Sequence, residues 1–269
     1  MSQAPLVPSA ELLRRVIDAE CGYTASRLSV LERLPGNPVG VASRRVGEAY
    51  AFRARHLPIS SFNRVVGLTD ANAGDVGPLI AWFAEADVNG RFEIAPGGHA
   101  QAVRRALAAA GWAHSDFHAT LFGAPGTAQN PAMGVSVEVV DAGTLEAFLD
   151  AYAAGWAVTE REGFKANVRG WLGQPGWTLY LGRHEGQPAG AAILHVSNGV
   201  GYCADSSVDP AMRRKGVHLA LLHRRSADAA QAGCDLICAQ AAFLSTSHRN
   251  MVRAGMALLY SQAMWTRAA

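Results

Sequence analysis

The stretch "VDPAMRRKGVHLALLHRR", Val208 to Arg225, sets a proline, three consecutive basic residues and a glycine directly before an apolar helical pattern. Pro210 cannot donate to a strand ladder, so a strand running up to Val208 ends there. The apolar spacing from Val217 through Leu219, Leu221 and Leu222 starts a helix within a few residues. Arg213 to Gly216 therefore fall at a helix N-terminus, where the first backbone N–H groups lack partners and the helix dipole is positive. Gly216 lets the backbone approach a ligand closely. Arg213, Arg214 and Lys215 are unfavourable beside that positive end unless an anion compensates them, so the turn reads as a site for a phosphate or pyrophosphate. The other reading is a solvated basic turn. Neither G-x-x-x-x-G-K-[ST] nor a helix-opening G-x-G-x-x-G occurs, which removes P-loop and Rossmann nucleotide sites.

The rest of the chain narrows the setting. With 269 residues, 49% hydrophobic and 17% charged, it has the composition of a globular protein of one large or two ordinary domains. A formal net charge of +2 gives no argument for nucleic acid, and the expectation is no nucleic-acid partner. No window approaches the roughly 18 apolar residues of a membrane span and the N-terminus lacks a secretory pattern, so a cytoplasmic protein without a membrane partner is expected. Cys21, Cys203, Cys234 and Cys238 are irregularly spaced and read as buried free thiols, and no metal is expected. Oligomeric state is not legible.

Two halves flank "GAPGTAQNPAMG", Gly123 to Gly134. The expected division is a first domain over 1–125, a linker over 126–134 and a second domain over 135–269. "RFEIAPGGHAQAVRRALAAAGWAHSDFHATLFG" before the linker and "CDLICAQAAFLSTSHRNMVRAGMALLYSQAMWT" after it both read as strand, turn, helix ending in glycine, and strand. Phe92 precedes Gly111 by 19 positions and Leu236 precedes Gly255 by the same 19, an offset of 144 between copies. This points to a duplication. Under that offset the basic turn lies opposite "TDANAG", Thr69 to Gly74, which has no basic residue. The "APGGH" turn, Ala95 to His99, reads as a plain helix start.

The run V208-x-P210-x-x-R213-x-x-G216-x-H218 followed by "LALL" resembles the acyl-CoA-binding motif of the GNAT superfamily of N-acyltransferases. From "VSVEVV" onward the order of strands and helices fits that family, about half the chain. The first half looks like a degenerate second copy. The implied fold is α/β (α+β), two tandem GNAT-like domains, each a mixed, mostly antiparallel sheet flanked by helices. The implied activity is transfer of an acyl group, most simply acetyl, from acetyl-CoA as co-substrate to a small-molecule or peptide amine. A non-catalytic acyl-CoA-binding sensor is the alternative.

The resemblance assigns residues. The turn Arg213, Arg214, Lys215, Gly216, Val217 and His218 would hold the pyrophosphate, and Ser206, Ser207 and Val208 would line the pantetheine arm where two strands splay. Asn250 would lie along the cofactor. His218 stands where the family prefers a small residue, and Met251 stands where many members carry a tyrosine acid. The base in the family is often a carboxylate on the strand before the motif, here Asp205, whose face depends on any bulge. Tyr260 is the candidate acid. Trp156, near Glu160 where the family builds its acceptor pocket, reads as core, and His195 as a satisfied core or edge histidine.

Overall fold

The computed structural model describes residues 7–57, 59–96, 98–127 and 129–268. Gly97 of the "APGGH" turn and Ala128 of the linker lie outside them. The backbone divides into two compact units, each discontinuous in sequence: one of residues 1–19 and 121–259, the other of 20–120 and 260–269.

The second of these units holds most of α1 (Ala10–Glu32), then β1 (Val41–Val46), β2 (Ala49–Ala54), β3 (Arg64–Val66), α2 (Val76–Ala84), β4 (Arg91–Ile94), α3 (Gln101–Ala109) and the main part of β5 (Trp112–Gly123). β1, β2 and β3 pair antiparallel, while β3 runs parallel to β4, the two being joined by the crossover helix α2. Its core gathers Leu79, Trp82 and Phe83 from α2 against Phe92 and Trp112, the last two meeting edge to face at 4.9 Å. A buried polar group lies apart from that core. Arg64 Nη1 pairs with Glu20 and, at 2.9 Å, with Glu93; Arg64 Nη2 donates to Thr24, and Arg91 Nε and Gln262 Nε2 donate to Glu93 at 2.9 and 3.0 Å. Burial pushes the Glu20 carboxyl up to about 7, against the pull of Arg64.

The first unit follows the expected order: β6 (Val135–Val139), α4 (Leu145–Gly155), α5 (Arg161–Arg169), β7 (Trp177–His184), β8 (Gln187–Ser197), β9 (Val200–Val208), α6 (Val217–Gln231), β10 (Leu236–Ala242) and α7 (Thr246–Arg253). β6 to β9 form an antiparallel meander, and β9 runs parallel to β10 across the helix α6. Each unit thus has one parallel pair joined by one helix, the arrangement the offset of 144 anticipates. Leu221 and Leu222 on α6 are buried, each contributing roughly 1.5–3 kcal/mol of apolar burial.

The last strand, β11 (Ala257–Arg267), departs from a linear division. From Tyr260 onward it belongs with residues 20–120, pairing antiparallel with β4 through Ala263, Met264 and Trp265. The periodicity of "ALLYSQAMW" identifies a strand but carries no information about its neighbours. All four cysteines are buried free thiols. None of the described helices is long and apolar enough to cross a membrane.

Candidate functional site

The basic turn takes shape from its own residues. The Asp209 carboxylate accepts from Ala211 N at 2.8 Å and Pro210 opens a short 3-10 turn. Arg214 then adopts φ +66° and Gly216 φ +85°, two left-handed residues two apart. For Arg214 that conformation is uncommon; for Gly216 it is natural, and a side chain there would also meet Ala132 Cβ at 2.9 Å. Gly216 caps α6 without any side-chain hydrogen bond, and no acidic residue stands in the first turn. The first N–H groups of α6, from Val217 and His218, are therefore uncapped beside the exposed side chains of Arg213, Arg214 and Lys215. An uncapped helix end beside three cations suits an anion.

Beside the turn, β9 and β10 part. Their pairing covers only Val200 to Tyr202 against Leu236 to Cys238, although β9 continues to Val208 and β10 to Ala242. The reason lies partly on the other side of β9. There the register against β8 shifts from Ile193↔Ala204 to Ala191↔Ser207, which inserts one extra residue into β9. Asp205 sits in this bulge with φ +31°. The bulge answers the open question of its face: the Asp205 carboxylate accepts from Tyr152 Oη of α4 at 3.2 Å. Ser206 Oγ is buried and without a hydrogen-bond partner among the described residues. Ser207 is buried, with Oγ donating to Tyr152 O at 3.4 Å. A side chain at Gly155 would come within 2.4 Å of Ser207, so glycine there is what lets the end of α4 approach the bulge.

His218 and Asn250 are placed together, not apart. Asn250 Nδ2 donates to His218 Nδ1 at 3.2 Å, and His218 Nε2 faces Ser247 Oγ at 3.4 Å. Burial, helped by the Arg225 charge, pushes the imidazole down to about 4, so it is neutral at ordinary pH. Asn250 Oδ1 in turn accepts from Arg253 at 3.0 Å. Met251 is buried in the core. Tyr260 is buried on β11, in the unit of residues 20–120 and 260–269.

Two readings of aromatic and basic residues divide. His195 is buried against Trp177, as expected of a core histidine. Trp156 is not core: it is 51% exposed, because α4 ends at Gly155 and Ala157 turns the chain outward with φ +52°. Tyr152 and Trp171 fill the interior, with the half-buried Phe164 stacked on Tyr152, and Trp156 only edges onto Tyr152 at 6.2 Å. Sequence reasoning misses Tyr152 and Arg225. A tyrosine and an arginine inside helical patterns carry no mark of the strand they reach.

Residues 127–243 match the family model described as an acetyltransferase (GNAT) domain. No curated protein matches the chain. Among solved structures, a GCN5-related N-acetyltransferase from Kribbella flavida is similar at 16% identity and TM-score 0.64, covering 93% of this chain and 96% of its own. One from Sphaerobacter thermophilus is similar at 16% identity and TM-score 0.60, covering 97% and 93%. A tandem GNAT protein from the clavulanic acid biosynthesis pathway is similar at 16% identity and TM-score 0.59, covering 98% and 97%. The likeness extends over both units.

Proposed function

We propose that this chain, a GNAT-type N-acetyltransferase by its 127–243 domain, takes its acetyl group from acetyl-CoA and passes it directly to an amine of a small molecule or peptide. The observation that carries the reading is the parting of β9 from β10 after Tyr202 and Cys238, directly before an uncapped helix flanked by three cations. The pyrophosphate would lie on the N–H groups of Val217 and His218, with Arg213, Arg214 and Lys215 around it. His218 would serve through its backbone, since its ring is neutral and occupied by Asn250. The pantetheine arm would run along Ser206 to Val208, where the orphaned Ser206 Oγ offers a hydrogen bond.

In the reaction, a neutral amine attacks the thioester carbonyl, the C–N bond forming as the C–S bond breaks, and the proton that the nitrogen sheds to become the amide passes to the departing thiolate or to water. An alkylammonium with an ordinary pKa near 10.4 must first lose a proton, which Asp205 takes directly or through a water. The leaving thiol, near 8.5, departs readily as thiolate, so a protein acid is less needed. Tyr260 is the candidate for one. The buried Met251, in the place of a tyrosine acid, favours a second reading as an acyl-CoA sensor. A panel of amines with acetyl-CoA, read by release of free thiol, decides between them: calorimetric binding with no thiol release on any amine leaves the sensor.

A further inference from the structure

Arg225 of α6 is completely buried. Among the described residues its guanidinium forms no ion pair with a carboxylate, although the Asp205 charge acts on it; it reaches the backbone of the sheet. Nε donates to Leu221 O at 3.0 Å within the helix, and Nη1 donates to two carbonyls on adjacent strands, Ile193 O at 3.1 Å and Ala204 O at 2.9 Å. Ile193 and Ala204 are the facing pair at which the β8–β9 register breaks. Nη2 is buried with no hydrogen-bond partner among the described residues. Burying a cation this way is costly, and apolar packing would be cheaper unless the contact fixes something that packing cannot.

What it fixes is a peptide plane. The Ala204 carbonyl and the Asp205 N–H share one planar unit, so holding the oxygen also sets the orientation from which Asp205 departs. Asp205 leaves that plane with φ +31°, a conformation that is strained for a non-glycine residue and persists only when its surroundings enforce it. From the side-chain end the same residue is held by Tyr152. We propose that Arg225 is a positioning residue for acetyl transfer: by clamping Ile193 O and Ala204 O it holds the β9 bulge in the conformation that aims the Asp205 carboxylate. This rests on the reading of Asp205 as the base, and it assigns Arg225 no contact with acetyl-CoA or amine.

The test combines exchange and kinetics on the full chain. In Arg225→Met, amide hydrogen exchange at residues 204–207 should accelerate at least about tenfold relative to Leu222→Ala, a control on the same helix that removes buried apolar volume only. The kcat should fall about 30-fold with the KM for acetyl-CoA within threefold, because the turn at 213–218 is untouched. In an Asp205→Asn background the same change should cost less than threefold, since the carboxylate being aimed is already gone. Arg225→Lys keeps the charge but reaches one carbonyl, and should recover part of both exchange protection and kcat; it is also read in the same way if Arg225→Met does not fold. Unaltered exchange at 204–207, or a kcat loss of equal size with and without Asp205, overturns the proposal. Absence of transfer to any amine by the unaltered protein would instead defeat the enzymatic reading, with the exchange measurement still deciding whether Arg225 holds the bulge.

Discussion

Asn250 Nδ2 donates to His218 Nδ1 at 3.2 Å, joining the first turn of α6 to α7 through a histidine held neutral by burial. The linkage sign follows from a folded pKa of about 4 below an ordinary 6.5. Between those values the unfolded chain binds the extra proton, so the contribution is complete above about pH 6.5 and is lost as pH falls toward 4, amounting to roughly 3 kcal/mol. Melting temperatures measured from pH 7.5 to 4 should fall more steeply in the native chain than in His218→Gln. Parallel curves would mean that His218 is solvated.

Acetyl-CoA at about 100 times its Kd should stabilise the chain by roughly 2.7 kcal/mol. Gly216→Asp should abolish most of the shift, because it places a carboxylate at the uncapped end of α6 and a side chain against Ala132. Thermal melts with and without ligand read both. A full shift in Gly216→Asp would relocate the anion site.

Asp205→Asn should lower kcat by about a hundredfold at neutral pH, the lower end of what a general base contributes, while the Kd for acetyl-CoA changes little. Tyr152→Phe removes the hydroxyl that donates to that carboxylate and should cost less, about three- to tenfold. Tyr260→Phe tests the candidate acid, with a loss that is largest where the hydroxyl carries its proton and fades as pH rises. Steady-state kinetics across pH 6 to 10 separate the three.

One acetyl-CoA should bind per chain. In the copy that would be its counterpart, Thr69 and Asn72 form a reciprocal cap, and Asp70 accepts from Ala102 N at 2.6 Å. A carboxylate and a side-chain cap stand where α6 offers free donors, leaving no place for a pyrophosphate. Calorimetric titration returning a stoichiometry near two would contradict this.

Arg64→Ala should destabilise the chain by about 3–5 kcal/mol, since it leaves Glu20 and Glu93 buried without their shared cation. Denaturant unfolding measures the loss, and a change under about 1 kcal/mol would mean that water enters the group.

The element order was legible because strand and helix periodicities are strong in "WTLYLGRHEG", "PAGAAILHVS" and "VHLALLHRR" and because Pro210 and Gly216 mark the turn. The 23-residue α1 gave a weak signal, its Arg14, Arg15, Asp18 and Glu20 interrupting any clean apolar stripe. Asp205 could be named but not oriented, since strict alternation fails at a bulge that no residue type announces. Arg224 and Arg225 show the limit most plainly. They are identical in type and adjacent in sequence, yet one pairs with Asp228 at the rim and the other lies wholly inside, a difference set by the helix phase against β8 and β9.

Because β11 from Tyr260 onward completes the unit of residues 20–120, that unit cannot finish forming while the nascent chain is still short of its last strand. During synthesis β4 carries an unpaired edge for the time needed to translate everything between Thr120 and Tyr260. Edges of that kind invite pairing with other chains. A chain truncated after Leu259 should therefore aggregate even though the whole of 127–243 is present, and adding the missing strand back as a peptide should restore solubility.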